Sequence, residues 1–270
     1  MERIGVMNIF GSRYMRFLFT ATLLITGLIA IQKPLRAATL GTFNGIDSVN
    51  GLAASATFTI SGNELTVQLL NISTSKVANN PQVLTGLFFN VSGNPALTSP
   101  TVQLDGTSGY VNTSKNSLTG VLGDHWGYRQ GDLGINQQSY EYGFGAAGFS
   151  GVFGSGNTIS GNHESMQGVD YGLVGPGGID TSNNGLANNG PQIQNGVDFT
   201  LTGLDPQNPP VIFNVLFQYG SASSGEFSMT GIPQNSDVPE PGVVAMLLAF
   251  GMAVGYFGLR YLRHPVVFTD

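Results

Sequence analysis

Residues 39–237 predict an all-β fold: an antiparallel β-sandwich, jelly-roll-like. Three observations predict it. Apolar and polar residues alternate with period two in several short runs. Clusters of Gly, Asn, Ser and Pro punctuate those runs, and 32 of the 199 residues in this span are Gly. No stretch of the span sustains the helical apolar period of about 3.6 residues.

The elements follow in chain order. Ala56, Phe58 and Ile60 share one face, with Thr57 and Thr59 opposite. Ser61-Gly62-Asn63 is a turn signal, after which Leu65, Val67 and Leu69 resume the alternation, so residues 53–72 predict a hairpin. Residues 83–91 are apolar almost throughout and predict a more buried strand. Residues 168–175 and 196–203 match at six of eight positions, counting Tyr171 with Phe199, and both predict strands facing one core. The polar segment between them, 175–196, is too long for a tight turn. Val211, Phe213, Val215, Phe217 and Tyr219 predict one apolar face, with residues 226–230 as the hairpin partner across 220–225. A β-solenoid is the alternative architecture, but no regular short repeat is present.

The body offers few sites of chemistry. With no cysteine in the chain, disulfides, thiolate metal sites and Cys nucleophiles are excluded. Residues 143–148 match GxGxxG, but no strand–helix context surrounds them. Only His125 and His163 lie in the body, and GxSxG, GxxxxGK[ST] and HExxH are absent. Asp124, Asp132, Glu141 and Glu164 are candidate carboxylates for sugar hydrolysis, though any 13 acidic residues contain such pairs. No catalytic residue, cofactor or metal site is assigned. Gly177-Gly178-Ile179-Asp180 partly matches a calcium-binding Gly-Asp turn, which leaves structural calcium open. Asn71, Asn90 and Asn112 fit N-x-[ST] and read as ordinary strand and turn residues.

Residues 124–153 concentrate aromatics: the single Trp, Trp126, with Tyr128, Tyr140, Tyr142, Phe144 and Phe149. Two readings stand. Trp126, Tyr128, Tyr140 and Tyr142 stack on sugar rings at an exposed site, or these Gly-spaced rings fill the sandwich core; the spacing favours the core.

Charge divides the chain into three. Only 10% of the residues are charged, against about 25% in a usual soluble domain. Five of the ten basic residues, Arg3, Arg13, Arg16, Lys33 and Arg36, precede residue 37. Residues 39–237 hold Lys76, Lys115 and Arg129 against 13 acidic residues, a formal charge of 3 − 13 = −10. The net −6 of the whole chain argues against a nucleic-acid partner.

The two ends read as address segments. Residues 1–38 have a basic start, the apolar run 17–31, and small residues Ala37 and Ala38 for signal peptidase. The run is shorter than the roughly 20 residues of a membrane span, so a signal helix and its removal are expected. Residues 242–259 carry no charge and as a helix reach about 27 Å, close to a bilayer core of about 30 Å. Arg260, Arg263 and His264 follow as a cytoplasmic stop.

The residues Val238-Pro239-Glu240-Pro241-Gly242, then this span, then Arg260 and Arg263, resemble the PEP-CTERM sorting domain of exported bacterial proteins. The resemblance covers residues 238–264, and residues 265–270 form a short tail beyond it. Such tails also carry the label of an ice-binding-protein C-terminal domain, a name for the tail alone. The resemblance implies that Val238–Gly242 is the sorting motif, that Arg260 and Arg263 form the stop, and that an exosortase is the processing partner. General secretion, a membrane-anchored precursor, and delivery to the cell surface or extracellular matrix follow from it. The expected function is a non-enzymatic surface or matrix protein associated with exopolysaccharide. The alternatives are a carbohydrate-binding module and a secreted glycan-active enzyme.

Overall fold

A computed structural model describes residues 37–113, 120–153, 157–161, 166, 168–182, 186 and 190–234. The segments expected as signal helix, sorting motif and transmembrane helix lie outside the described residues, apart from Ala37 and Ala38. Among the described residues, no helix is long and apolar enough to cross a membrane.

Fourteen strands are described. They are β1 (Ala38–Asp47), β2 (Leu52–Ser61), β3 (Glu64–Asn71), β4 (Leu84–Val91), β5 (Thr98–Leu104), β6 (Gly109–Val111) and β7 (Gly127–Ile135). The others are β8 (Gln138–Gly145), β9 (Leu173–Val174), β10 (Gln192–Gln194), β11 (Gly196–Thr202), β12 (Ile212–Tyr219), β13 (Ser228–Thr230) and β14 (Ile232–Gln234). The first sheet runs β14-β1-β2-β3-β11-β5. The second runs β13-β12-β4-β9-β10-β6, and β8 also pairs with β4 and carries β7. All pairs between these strands are antiparallel except β9–β10, so the fold is all-β and sandwich-like with one mixed sheet.

The alternation in the sequence builds the core. Phe58 and Ile60 of β2 and Leu65, Val67 and Leu69 of β3 point inward and are buried. Gly62, at φ 63°, makes the tight turn between them, a conformation open to Gly at little cost. Phe43, Phe58 and Phe89 form an edge-to-face chain at 5.7 and 5.0 Å that joins the two sheets. β4 is buried on both faces, which explains its unbroken apolar run. Leu87 and Phe89 face the inter-sheet core, whereas Phe88 faces a second cluster with Tyr140, Phe149 and Phe153.

Three expectations need correction. The jelly-roll-like detail does not hold, because β1, β2 and β3 run as a meander within one sheet instead of alternating between two. Residues 168–175 form mainly a turn, with Gly168 at φ 67° and Tyr171 at φ 59°, and only Leu173–Val174 is strand. Val169, Tyr171 and Leu173 are nonetheless buried. In β12 the pairing slips between Phe213 and Leu216 around Asn214, which has φ 51°. This bulge breaks the alternation: Val215, Phe217 and Tyr219 are buried, while Val211 is 65% exposed.

The outer face of the first sheet is polar. Thr39, Thr59, Thr66, Thr200 and Thr101 stand opposite one another across five adjacent strands. Thr is β-branched and polar, and so suits a solvated sheet face. In the next row Gln68 and Gln103 flank Asp198, and Asp105 nearby accepts a 2.7 Å bond from Gln68. Partial burial and then the Asp105 charge raise the Asp198 pKa, against a lowering bond from Gln103. A carboxyl raised on folding favours the fold below its unfolded pKa and loses that contribution as pH climbs through the folded value. Asp198→Asn is therefore expected to melt higher than the wild type at pH 7, with the gap closing by about pH 3.5. Equal melting shifts at the two pH values would refute this.

The strand order also places the ends. β1 starts at Ala38, and β14 runs back beside it with Thr42 opposite Gln234. Ala38 therefore stands at one end of the first sheet, and β14 runs toward that end, its last residue Gln234 reaching the middle of β1. The β1–β2 turn at 48–51 lies at the other end, about 30 Å away along β1.

Candidate functional site

β7 and β8 form a hairpin against β4, and the pleat turns alternate rings inward. Trp126, just before β7, is fully buried and meets Phe199 edge-on at 5.2 Å. Tyr142 is also fully buried: it stacks on Phe89 at 5.4 Å and donates to the Pro95 carbonyl at 2.6 Å. Tyr140 is 3% exposed, and its hydroxyl donates to Gln138 at 2.7 Å. Tyr128 is half-buried and donates to the Leu97 carbonyl at 3.0 Å. Burial raises the phenol pKa of Tyr128, Tyr140 and Tyr142. The sugar-stacking expectation is corrected for Trp126, Tyr140 and Tyr142, whose rings are core; Tyr128 anchors a loop.

The GxGxxG segment belongs to the same packing. A Cβ at Gly143 would lie 2.6 Å from the Phe88 ring, and one at Gly145 would lie 2.6 Å from the Phe153 ring. These glycines make room for aromatic rings in a strand.

The candidate carboxylates are held by local structure. Asp124 is buried, accepts from the Val121 N–H at 3.0 Å and bonds the Ser160 hydroxyl. Asp132 bonds Ser139 across the β7–β8 hairpin. Glu141 accepts a long bond from the Val91 N–H at 3.4 Å. His163 and Glu164 lie outside the described residues. His125 stacks flat on Tyr171 at 3.6 Å. Among the described residues, no three acidic or His side chains form a group able to hold a metal. In the segment weighed for calcium, Asp180 accepts from the N–H and hydroxyl of Ser182, and these bonds lower its pKa.

The Asn residues of the N-x-[ST] matches have internal partners. Asn71 is buried and donates to the Leu173 carbonyl at 2.9 Å. Asn90 accepts from the Glu141 N–H, and Asn112 donates to Gln192.

A cleft of about 470 Å³ lies at the end of the sandwich away from Ala38, where three loops meet. The β1–β2 turn supplies Val49 and Asn50, the short 3-10 turn before β4 supplies Pro81 and Gln82 with Asn79 beside it, and the β12–β13 loop supplies Gly225, Glu226 and Phe227. Each wall has a local cause. The Asp47 carboxylate accepts from the N–H groups of Val49 and Asn50 and from the Asn50 amide, an Asx turn that lowers the Asp47 pKa. That turn leaves Val49 92% exposed. Gln82 ties two walls together, accepting from the Ala78 N–H at 2.9 Å and donating to the Asn50 carbonyl at 3.3 Å. Glu226 accepts from the N–H groups of Ser221 and Ala222 through one oxygen, Oε2. Phe227 packs its inner side on the main core.

The sequence reading missed this cleft. Its residues come from three turns far apart in the chain, and no local motif marks turns that meet. The chain matches no family model, no curated protein and no solved structure.

Proposed function

We propose that this chain is an exported bacterial surface or extracellular-matrix protein that associates with exopolysaccharide and is not an enzyme. The observation that carries the reading is the order Val238-Pro239-Glu240-Pro241-Gly242, 18 uncharged residues over 242–259, then Arg260 and Arg263. Together with the signal-like residues 1–38, this order fits secretion, signal-peptidase cleavage, transient anchoring by the C-terminal span, and processing by an exosortase.

One structural feature accords with it: the described body begins and ends on neighbouring strands of the first sheet, and β14 runs toward the end at which β1 starts.

Deletion of residues 238–270 tests the sorting. In cell fractionation, the truncated protein is expected to leave the surface fraction and accumulate in soluble export fractions. Unchanged surface display would defeat the sorting claim. Turnover of the cell's own polysaccharide by the purified protein would defeat the non-enzymatic part.

A further inference from the structure

We infer that the cleft among the β1–β2 turn, the 80–82 turn and the β12–β13 loop binds an uncharged pyranose unit of a polysaccharide. This deepens the proposed association with exopolysaccharide and rests on it. The cleft walls carry both hydrogen-bonding groups and apolar surface. Asn79 is exposed, and its amide makes no hydrogen bond among the described residues. A carboxamide presents donors and acceptors side by side. The Gln82 Nε2 has one weak partner at 3.3 Å and a second hydrogen to offer. Glu226 spends Oε2 on two backbone N–H groups, which fixes the carboxylate and leaves Oε1 as an acceptor. Beside these groups stand the apolar surfaces of Val49, Pro81 and Phe227.

The complement of such a site is a molecule with hydroxyls, which both donate and accept, around a flat C–H face. A pyranose ring has that form. The volume of about 470 Å³ falls within the roughly 300–1,000 Å³ of small-ligand sites and takes about one or two rings.

Charge narrows the class. Among the described residues no Lys, Arg or His lines the cleft, and Glu226 is the one ionisable side chain among the described wall residues. A uronic-acid, sulfated or phosphorylated sugar would bring a second negative charge to a carboxylate with no cation to offset it. The geometry therefore favours neutral sugars over anionic ones. The position suits a polymer as well. The cleft lies at the end of the sandwich opposite Ala38, so a chain longer than the cleft can extend outward from it.

The test is calorimetric titration of the full-length protein in detergent. The probes are laminarin, cello- and manno-oligosaccharides as neutral ligands, and alginate oligomers as the anionic one. Binding of at least one neutral probe is expected, with alginate at least about tenfold weaker. Asn79→Ala is expected to weaken that binding about fivefold and Phe227→Ala about tenfold. The Asn79 side chain makes no hydrogen bond among the described residues, and its carbonyl, which accepts from the Gln82 N–H, is kept in Asn79→Ala, so that variant keeps the wild-type melting temperature even if Phe227→Ala does not. Failure of every neutral probe, a preference for alginate, or full-strength binding by Asn79→Ala would overturn the assignment. Fractionation of the 238–270 deletion separates the two ideas. Tail-dependent display without neutral-sugar binding removes the cleft alone, whereas tail-independent display removes the sorting reading and leaves the calorimetry to stand.

Discussion

Replacing Phe199 by alanine should destabilise the protein by about 3–5 kcal/mol, the usual loss for a buried Phe truncated in a core. Phe199 sits on β11 in the first sheet and is fully buried. It stacks on Phe144 of β8 in the second sheet at 3.9 Å and 11°, and meets Trp126 at 5.2 Å. The ring is thus a direct contact between the sheets, and neither partner can close the gap without moving a strand. A domain of ordinary stability, about 5–15 kcal/mol, would lose a large share of it. Urea unfolding measures the loss. Trp126, the only tryptophan, reports locally: its emission should shift to the red as water reaches the indole. A loss below about 1 kcal/mol would mean that Phe199 is not packed between the sheets.

Gly143→Ala should also destabilise, by about 1–3 kcal/mol, although strand propensity predicts the opposite sign. Glycine in a strand interior is worth roughly 0.5–1 kcal/mol less than alanine. At Gly143 that gain is outweighed, because the new Cβ would lie 2.6 Å from Phe88 Cδ1 and 2.9 Å from Leu133 Cδ1. The Phe88 ring cannot yield easily, being hemmed by Tyr140, Phe149 and Phe153 at 5.7–5.9 Å. Gly134 on β7 supplies the control, since a Cβ there meets nothing within 4 Å. Gly134→Ala should be neutral or slightly stabilising. If the two substitutions behave alike in thermal melts, crowding by Phe88 is not what places glycine at 143.

Particular residues show how far the sequence carried. The 53–72 hairpin was legible because its alternation is unbroken and Gly62 marks the turn. β4 was legible because a strand covered on both faces must be apolar at nearly every position. The slip in β12 was not, since the residue at its centre, Asn214, adopts φ 51° without a glycine to announce it. The echo at 168–175 misled for a related reason: burial of alternate side chains was preserved while the backbone turned. The Gly-spacing of the aromatics correctly favoured core over surface for Trp126, Tyr140 and Tyr142. The cleft left no trace, because Asn50, Gln82 and Phe227 become neighbours only through sheet order.

The pairing of β14 with β1 has a mechanical consequence. If the body is held through residue 235 while its far end is gripped by a polymer, tension enters through β14 along the strand axis. β14 meets β1 at only three residue pairs, Thr42 with Gln234, Phe43 with Pro233 and Asn44 with Ile232. Those bonds are loaded together in shear, so they resist as a group and then let go at once. Release would lengthen the tether by a few residues while the β1–β2–β3 meander stays paired. The edge strand would thus act as a small shock absorber between anchor and cargo.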